Sequence, residues 1–463
     1  MGELRADDHV HRTVKEEIRE NLLGRLRSGD ERFPGIVGFE ETVLPHLERG
    51  LLAGHDLVLL GERGQGKTRL IRTLLELLDE WTPIVAGCEI NDHPYAPVCV
   101  PCGRLYEELG DDLPVRWKHR DDRYGEKLAT PDTSVGDLIG DIDPIKVAEG
   151  RPLGDPETVH YGLVPRTNRG IFSVNELPDL AERIQVALLN VLEERDIQVR
   201  GYALRLPLDL LLVASANPED YTNRGRIITP LKDRFGAEIR THYPLTLEDE
   251  LALVRQEAAL RWSTGSLTAA LPDHLLEVIS RFTQLVRESP SVDVRSGVSA
   301  RFAIAGAETV VASAVRRAAL TSEENPVARV CDLRPVVRTL QGKVEFEVSE
   351  EGREEEVLEH LLRRATAETF RRHLGGADLS GLLDRFEEEG ATVETGELVP
   401  ARDLLGQVGP VTGLAQIMSR LGMDGGEESP EHGAAALEFA LEGLYLTRRL
   451  SKDTVFGKAV YRT

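Results

Sequence analysis

The octapeptide Gly61-Glu62-Arg63-Gly64-Gln65-Gly66-Lys67-Thr68 matches the pattern G-x-x-x-x-G-K-[ST] without departure. Its flanks narrow the fold further. Asp56–Leu60 (DLVLL) is a short apolar run that ends at Gly61, and Lys67–Leu78 has the apolar spacing of a helix. A buried strand, a glycine turn and a helix in that order present backbone N–H groups and the positive end of a helix to an anion. This predicts a cradle for a nucleotide β-phosphate built from Gly61 to Thr68. Lys67 would bridge the β- and γ-phosphates and Thr68 would offer its hydroxyl to Mg²⁺, so ATP and Mg²⁺ are the expected cofactors. A chance glycine turn before a helix is the competing reading, and it leaves the matching flanks without a reason.

From Ile36 onward strand and helix patterns alternate. Ile171–Val174, Leu210–Ala214 and Glu238–Arg240 are further strand candidates, each followed by turn or helix signals. Strands separated by helices predict an α/β core, a parallel sheet with helices on both faces. After Pro244 the strand signals stop. Leu247–Ala259, Pro272–Arg287, Ala300–Leu320 and Val327–Leu340 have helical spacing, as do stretches within Gly352–Leu374, Leu379–Glu388, Val411–Leu421 and His432–Leu450. Gly422–Glu431 reads as a loop. The expected organisation is a polar helical segment over 1–35 closed by Pro34-Gly35, an α/β core over 36–245, an α-helical lid over 246–343 and a mostly helical C-terminal region over 344–463.

Composition removes several function classes. A chain of 463 residues, 41% hydrophobic and 29% charged, is that of a globular protein of two or three domains. Its net charge of −23 repels nucleic-acid phosphates, and no basic tract offsets it. The charged N-terminus lacks the apolar core of a secretory signal, and no apolar run approaches the roughly 18 residues of a spanning helix. Four cysteines do not make a disulfide framework in a chain this long, so a cytoplasmic location is expected.

Three further positions fit phosphoryl-transfer chemistry. The strand Ile171–Val174 ends in Asn175-Glu176, where a nucleotide hydrolase holds Mg²⁺ and polarises water; Glu176 is placed to orient the attacking water and Asn175 to meet the metal. The strand Leu210–Ala214 runs into Ser215-Ala216-Asn217-Pro218, and Asn217 at that tip can reach a γ-phosphate or the water. Leu231-Lys232-Asp233-Arg234-Phe235 offers Arg234 as an arginine finger, and Arg301 could touch the same phosphates from a lid helix. Each alone reads as an ordinary strand-end or surface residue. Their order behind the glycine loop favours the catalytic reading.

That order resembles the AAA+ ATPases, and within them the ATPase subunit of magnesium chelatase (subunit I) and the MoxR group. Ile36-Val37-Gly38 before Glu40-Glu41 resembles the entry to that family's adenine pocket, which implies nucleotide contact by Val37. Leu138–Asp143, Tyr161–Val164 and Asn168–Ile171 resemble the insert before the Walker B strand, and Leu189–Arg205 resembles the helix and β-hairpin before sensor 1. The resemblance covers roughly residues 33–320. It implies a P-loop AAA+ core in which Asn175 and Glu176 are the Walker B pair, Asn217 is sensor 1, Arg234 is the finger and Arg301 is sensor 2. The family usually has Asp where Asn175 stands, so a negative charge beside a hard cation is missing.

The resemblance also implies a homo-oligomeric ring, hexameric in the leading reading, that remodels or metal-loads a partner. No D-x-S-x-S adhesion motif occurs in the chain, which assigns the family's von Willebrand A domain to a separate partner protein. A chelatase subunit and a MoxR-like chaperone share every motif found. A nucleotide-gated scaffold with little turnover is an alternative resting on Asn175. A sigma-54-type activator is disfavoured, because its Gly-Ala-Phe-Thr-Gly-Ala loop is missing from the sequence.

Cys88, Cys99 and Cys102 fall as C-x10-C-x2-C with His93 between them. Three thiolates and an imidazole would make a tetrahedral Zn²⁺ site; three small residues packed at a strand end would explain the same pattern. Cys331 is distant in sequence and reads as core.

Overall fold

Five parallel strands form the central sheet: β1 (Leu57–Leu60), β2 (Tyr124–Leu128), β3 (Gly170–Asn175), β4 (Leu210–Ala216) and β5 (Ala237–Arg240). Their spatial order is β5-β1-β4-β3-β2. The computed structural model describes every residue except 153–154, 195–196, 200–201, 205, 219–226, 265–266, 294–296, 388–389, 424–428, 456–457 and 463. The chain divides into two units, Met1–His242 and Tyr243–Thr463.

The sheet is covered on both faces because its middle strands β1, β4 and β3 are buried at every register position, not at alternate ones. Leu57, Leu59, Ile171, Leu211, Val213 and Ile239 face one core, and Val58, Leu60, Phe172, Val174, Leu210 and Leu212 face the other. The first core is closed by helices Val14–Ser28, Val43–Leu52 and Lys67–Thr73, and the second takes Ile184, Leu188 and Val191 from helix Glu182–Glu194. The helical run expected over Lys67–Leu78 changes to a tighter 3₁₀ turn at Leu74–Leu77.

The N-terminal helix is not merely polar. Thr13 caps it in a reciprocal box with Glu16, and Val14, Ile18 and Leu22 are buried in the sheet's first core. Glu17 is buried too, holding the guanidinium of Arg123 through two hydrogen bonds of 2.7 Å. A buried pair of this kind adds little against an apolar replacement, but removing one partner leaves a charge stranded. Glu17→Ala should therefore cost about 3–5 kcal/mol, read as a lowered midpoint of chemical denaturation, with Glu17→Leu/Arg123→Met recovering much of the loss. An unchanged midpoint in Glu17→Ala would show that the pair bears no weight.

The second unit corrects the expectation that strands end at Pro244. Arg261–Thr264 pairs antiparallel with Leu267–Ala270, and Val393–Thr395, Lys458–Arg462 and Ser451–Val455 form a three-stranded sheet. These strands are short and carry no continuous apolar run, so the periodicity that marked the central sheet is missing from them. The rest is helical, with long helices Asp273–Glu288, Ala300–Thr321, Glu354–Leu374 and Pro430–Leu446. One core takes Val278, Phe302 and Val310 from residues 246–343 and Leu358, Phe439 and Tyr461 from residues 344–463.

Buried ion pairs cross that core. Arg317 holds Asp332 at 3.1 Å and the Val327 carbonyl at 2.8 Å. Arg329 pairs with Glu438 at 3.3 Å, while Glu438 accepts the Cys331 N–H at 2.9 Å. Among the described residues no helix is long and apolar enough to cross a membrane.

Candidate nucleotide site

The glycine loop lies where β1 stops, and its shape follows from its small residues. Gly64 and Gly66 both take φ of 76°, a left-handed conformation that side-chain-bearing residues resist. Gly61 passes so close to Thr241 and Gln65 that a Cβ there would collide with both. Gln65 Oε1 accepts from the Glu62 N–H at 3.0 Å and from the Thr241 hydroxyl at 2.9 Å, tying the loop to the exit of β5. Arg63 is exposed, Glu62 half-buried, and Gly66 caps the helix that begins at Lys67 with no side chain over its first amides. Such a turn at the start of a helix suits a phosphate, which the positive helix end attracts.

The Lys67 ammonium lies within this loop. It donates to the Gly61 carbonyl, to the Glu62 carbonyl at 2.9 Å and to Asn217 Oδ1 at 2.8 Å. Asn217 in turn donates from Nδ2 to Glu176 Oε2 at 2.9 Å. Lysine, amide and carboxylate thus form one hydrogen-bonded series across the tips of β1, β4 and β3. Glu176 reaches it through a left-handed backbone, φ 55° and ψ 48°, where its N–H donates to Ser215 Oγ at 3.3 Å. A non-glycine residue held there costs on the order of 1–3 kcal/mol and survives only where its surroundings insist on it.

Asn175, at the last position of β3, accepts weakly from Ser173 and Ser215 at 3.4 Å each. Its Nδ2 donates to Glu126 Oε1 at 2.6 Å. Arg234, at the end of helix Thr229–Arg234, is exposed and pairs with Glu193 at 2.6 Å and Asp233 at 3.1 Å. Val37 is half-buried in the segment between Phe33 and Phe39, two residues that join the first core.

No family model matches the chain. Among curated proteins it is 31% identical over 238 residues to the magnesium-chelatase subunit ChlI of Nostoc sp., covering 49% of this chain and 58% of that protein. The magnesium-chelatase 38 kDa subunit of Acidiphilium rubrum is 31% identical over 254 residues, covering 51% and 66%. These relatives make the chain similar to the ATPase subunit I of magnesium chelatase. It spans about 60% of the length of the curated relatives it matches. Solved structures that align with it include a chain of the magnesium chelatase BchI–BchD complex (22% identity, 71% of this chain, 98% of that one, TM-score 0.36) and NtrX from Brucella abortus with ATP (14%, 84%, 72%, TM-score 0.41).

Beside Asn175 lies a carboxylate that sequence reading missed, Glu126. It stands on the neighbouring strand β2, and besides Asn175 it binds Arg72 at 2.9 Å and 3.1 Å, which raises the Arg72 pKa by hydrogen bonding first and charge second. A carboxylate therefore lies next to Asn175 even though β3 itself ends in an amide. Its strand, Tyr-Gly-Glu-Lys-Leu, has neither an apolar run nor an apolar–polar alternation, so no periodicity flagged it.

Arg301 belongs to the second unit, in the first turn of helix Ala300–Thr321, where its N–H donates to the capping Ser299 hydroxyl at 3.1 Å. The helix and β-hairpin expected over Leu189–Arg205 are partly outside the described residues, at 195–196, 200–201 and 205; within that range, Ile197–Val199 pairs antiparallel with Tyr202–Leu204.

Cys88, Cys99 and Cys102 come together, and their fourth neighbour is Asp92, not His93. The His93 ring turns the other way. Its Nδ1 accepts from the Tyr95 N–H at 3.0 Å, and its face lies on His11 and His9 at centroid distances of 4.2 and 5.6 Å. Burial, with the two basic neighbours Arg169 and His11 adding to it, pushes the His93 pKa down to about 2.

Proposed function

We propose that the chain binds and hydrolyses Mg·ATP and uses that cycle to remodel a partner protein or load it with metal. The observation that carries this reading is the series Lys67–Asn217–Glu176 behind the glycine loop. Lys67 and the loop amides would hold the nucleotide phosphates, and Thr68, with Asn175 behind it, would meet Mg²⁺, whose charge neutralises the developing phosphate oxygens. Glu176 would orient and deprotonate the water, and Asn217 fixes the Glu176 carboxylate while accepting from Lys67. Positioning of this kind supplies most of the acceleration in phosphoryl transfer.

The relatives named as magnesium-chelatase subunits support a chain that works within a multi-subunit assembly, which we read as a homo-oligomer acting with a partner. A hexameric ring, a von Willebrand A domain partner, and the choice between a chelatase and a MoxR-like remodelling role belong to the proposal. A second reading, a nucleotide-gated scaffold, is favoured by Asn175 alone, since its amide faces Glu126 where a metal-binding Asp would otherwise stand.

The test is steady-state ATP hydrolysis by purified protein, with particle mass recorded with and without ATP. Turnover with nucleotide-dependent assembly supports the motor; binding and assembly without turnover favour the scaffold. In parallel, Lys67→Ala should weaken ATP binding by about 10- to 100-fold or more, because hydrogen bonds to charged groups contribute roughly 1.5–3 kcal/mol each. Unchanged ATP affinity in that variant would remove the glycine loop as the nucleotide site.

A further inference from the structure

The cysteine cluster lies outside the nucleotide machinery. Cys88 follows the strand Trp81–Val85, its N–H bonded to the Val85 carbonyl at 3.2 Å. Cys99 is the N-cap of helix Val100–Leu109 and Cys102 lies in its first turn. Asp92 sits in the turn between them. One ligand atom from each of the four lies within 4.8 Å of all the others. Ligands about 2.0–2.3 Å from a tetrahedral ion are roughly 3.3–3.8 Å apart, so the cluster needs only a small contraction to close on one.

A second observation is independent of that spacing. Asp92 is fully buried, and its two oxygens differ. Oδ2 accepts the N–H groups of Val98 and Cys99 at 3.0 and 2.9 Å. Oδ1 is buried with no hydrogen-bond partner. A carboxylate oxygen stranded in this way is costly unless a cation meets it. The remaining contacts resemble the support that metal ligands receive elsewhere: the Asp92 N–H points at Cys88 Sγ at 3.3 Å, and the Oδ2 bonds fix the carboxylate's orientation. A disulfide between two of the thiols would leave Oδ1 as it is.

We infer that Cys88, Asp92, Cys99 and Cys102 form a structural zinc site. Three thiolates and one carboxylate are a donor set for a tetrahedral, borderline-soft divalent ion, and four protein ligands leave no open position for chemistry. The ion would close the segment from Cys88 to Cys102 into a clip. That segment is already fastened to the sheet from below: Asn91 Nδ2 donates to the Arg166 carbonyl at 2.7 Å, and Asn168 Nδ2 to the Ile90 carbonyl at 2.9 Å. Asn168 and Arg169 lead directly into β3, so the clip would brace the strand whose far end carries Asn175 and Glu176.

The test uses the full chain, purified under reducing conditions. Elemental analysis should find about one zinc per chain. Replacement by Co²⁺ should give the intense visible bands of a tetrahedral ion with thiolate charge transfer. Asp92→Cys should keep the metal and gain charge-transfer intensity, which a misfolded variant would not do. Cys99→Ser/Cys102→Ser should lose the metal, and a chelator should lower the Tm of the parent protein but not of that variant. The inference is overturned if the reduced parent takes up neither Zn²⁺ nor Co²⁺, or if the double serine variant retains a full equivalent. A disulfide among these cysteines in protein isolated without oxidant would overturn it as well.

Discussion

Glu176→Gln is expected to lower the ATP turnover rate by about 10²- to 10⁴-fold, the range lost with a general base, while ATP still binds. The amide is nearly isosteric and can keep the hydrogen bond from Asn217, which now holds Glu176 at 2.9 Å, so the loop and its lysine stay in place. What it cannot do is accept a proton from water. Single-turnover kinetics beside equilibrium binding separate the two effects. A variant that turns over at the parental rate would show that the water is activated elsewhere, and Glu126, next to Asn175 on β2, would be the first carboxylate to replace.

Arg234→Ala should have the larger effect if sites are shared between subunits, about 10³- to 10⁵-fold in turnover, the range associated with an arginine finger. Within its own chain the guanidinium is exposed and pairs with Glu193 and Asp233. Exposed ion pairs of this kind contribute about 0–1 kcal/mol, so little holds Arg234 back from a neighbour's phosphate. Mixing decides the matter. Arg234→Ala protein retains Glu176, and Glu176→Gln protein retains Arg234. In an equal mixture about a quarter of randomly formed sites recover both groups, so activity should rise well above either variant alone. Full activity from Arg234→Ala by itself would end the finger assignment.

The middle of the central sheet was legible because β1, β3 and β4 are apolar on both faces. Leu57–Leu60 and Leu210–Val213 read as uninterrupted runs, and the two cores confirm why: successive residues bury themselves on opposite sides. The residues of the nucleotide site were legible for a related reason. Lys67, Glu176 and Asn217 each stand at the end of such a run or one turn beyond it, and a parallel sheet aligns those ends. Glu126 escaped because β2, at the sheet's edge, carries two adjacent charges, Glu126 and Lys127, and ends no apolar run. The pair Arg261–Thr264 and Leu267–Ala270 escaped through brevity, although Gly265-Ser266 between them is a hairpin-like dipeptide.

The cysteine cluster shows a different limit. Spacing placed three thiols near one another, but which neighbour completes the set depends on a turn of a few residues. Asp92 and His93 are adjacent, and the two amides that hold the Asp92 carboxylate aim it inward while His93 goes to His9 and His11. Hydrogen bonds from Val98 and Cys99, several residues later, make that choice. No count of positions between cysteines contains them.

The shared core of the second unit has a mechanical meaning. Helix Ala300–Thr321, whose first turn holds Arg301, carries Arg317 into the buried charges around Asp332, and Arg329 and Glu438 carry the same framework into helix Pro430–Leu446 and on towards Tyr461. Densely packed interiors pass strain along rather than absorbing it. A displacement at the Arg301 end would therefore be felt at the terminal strands, because the same packed core joins them.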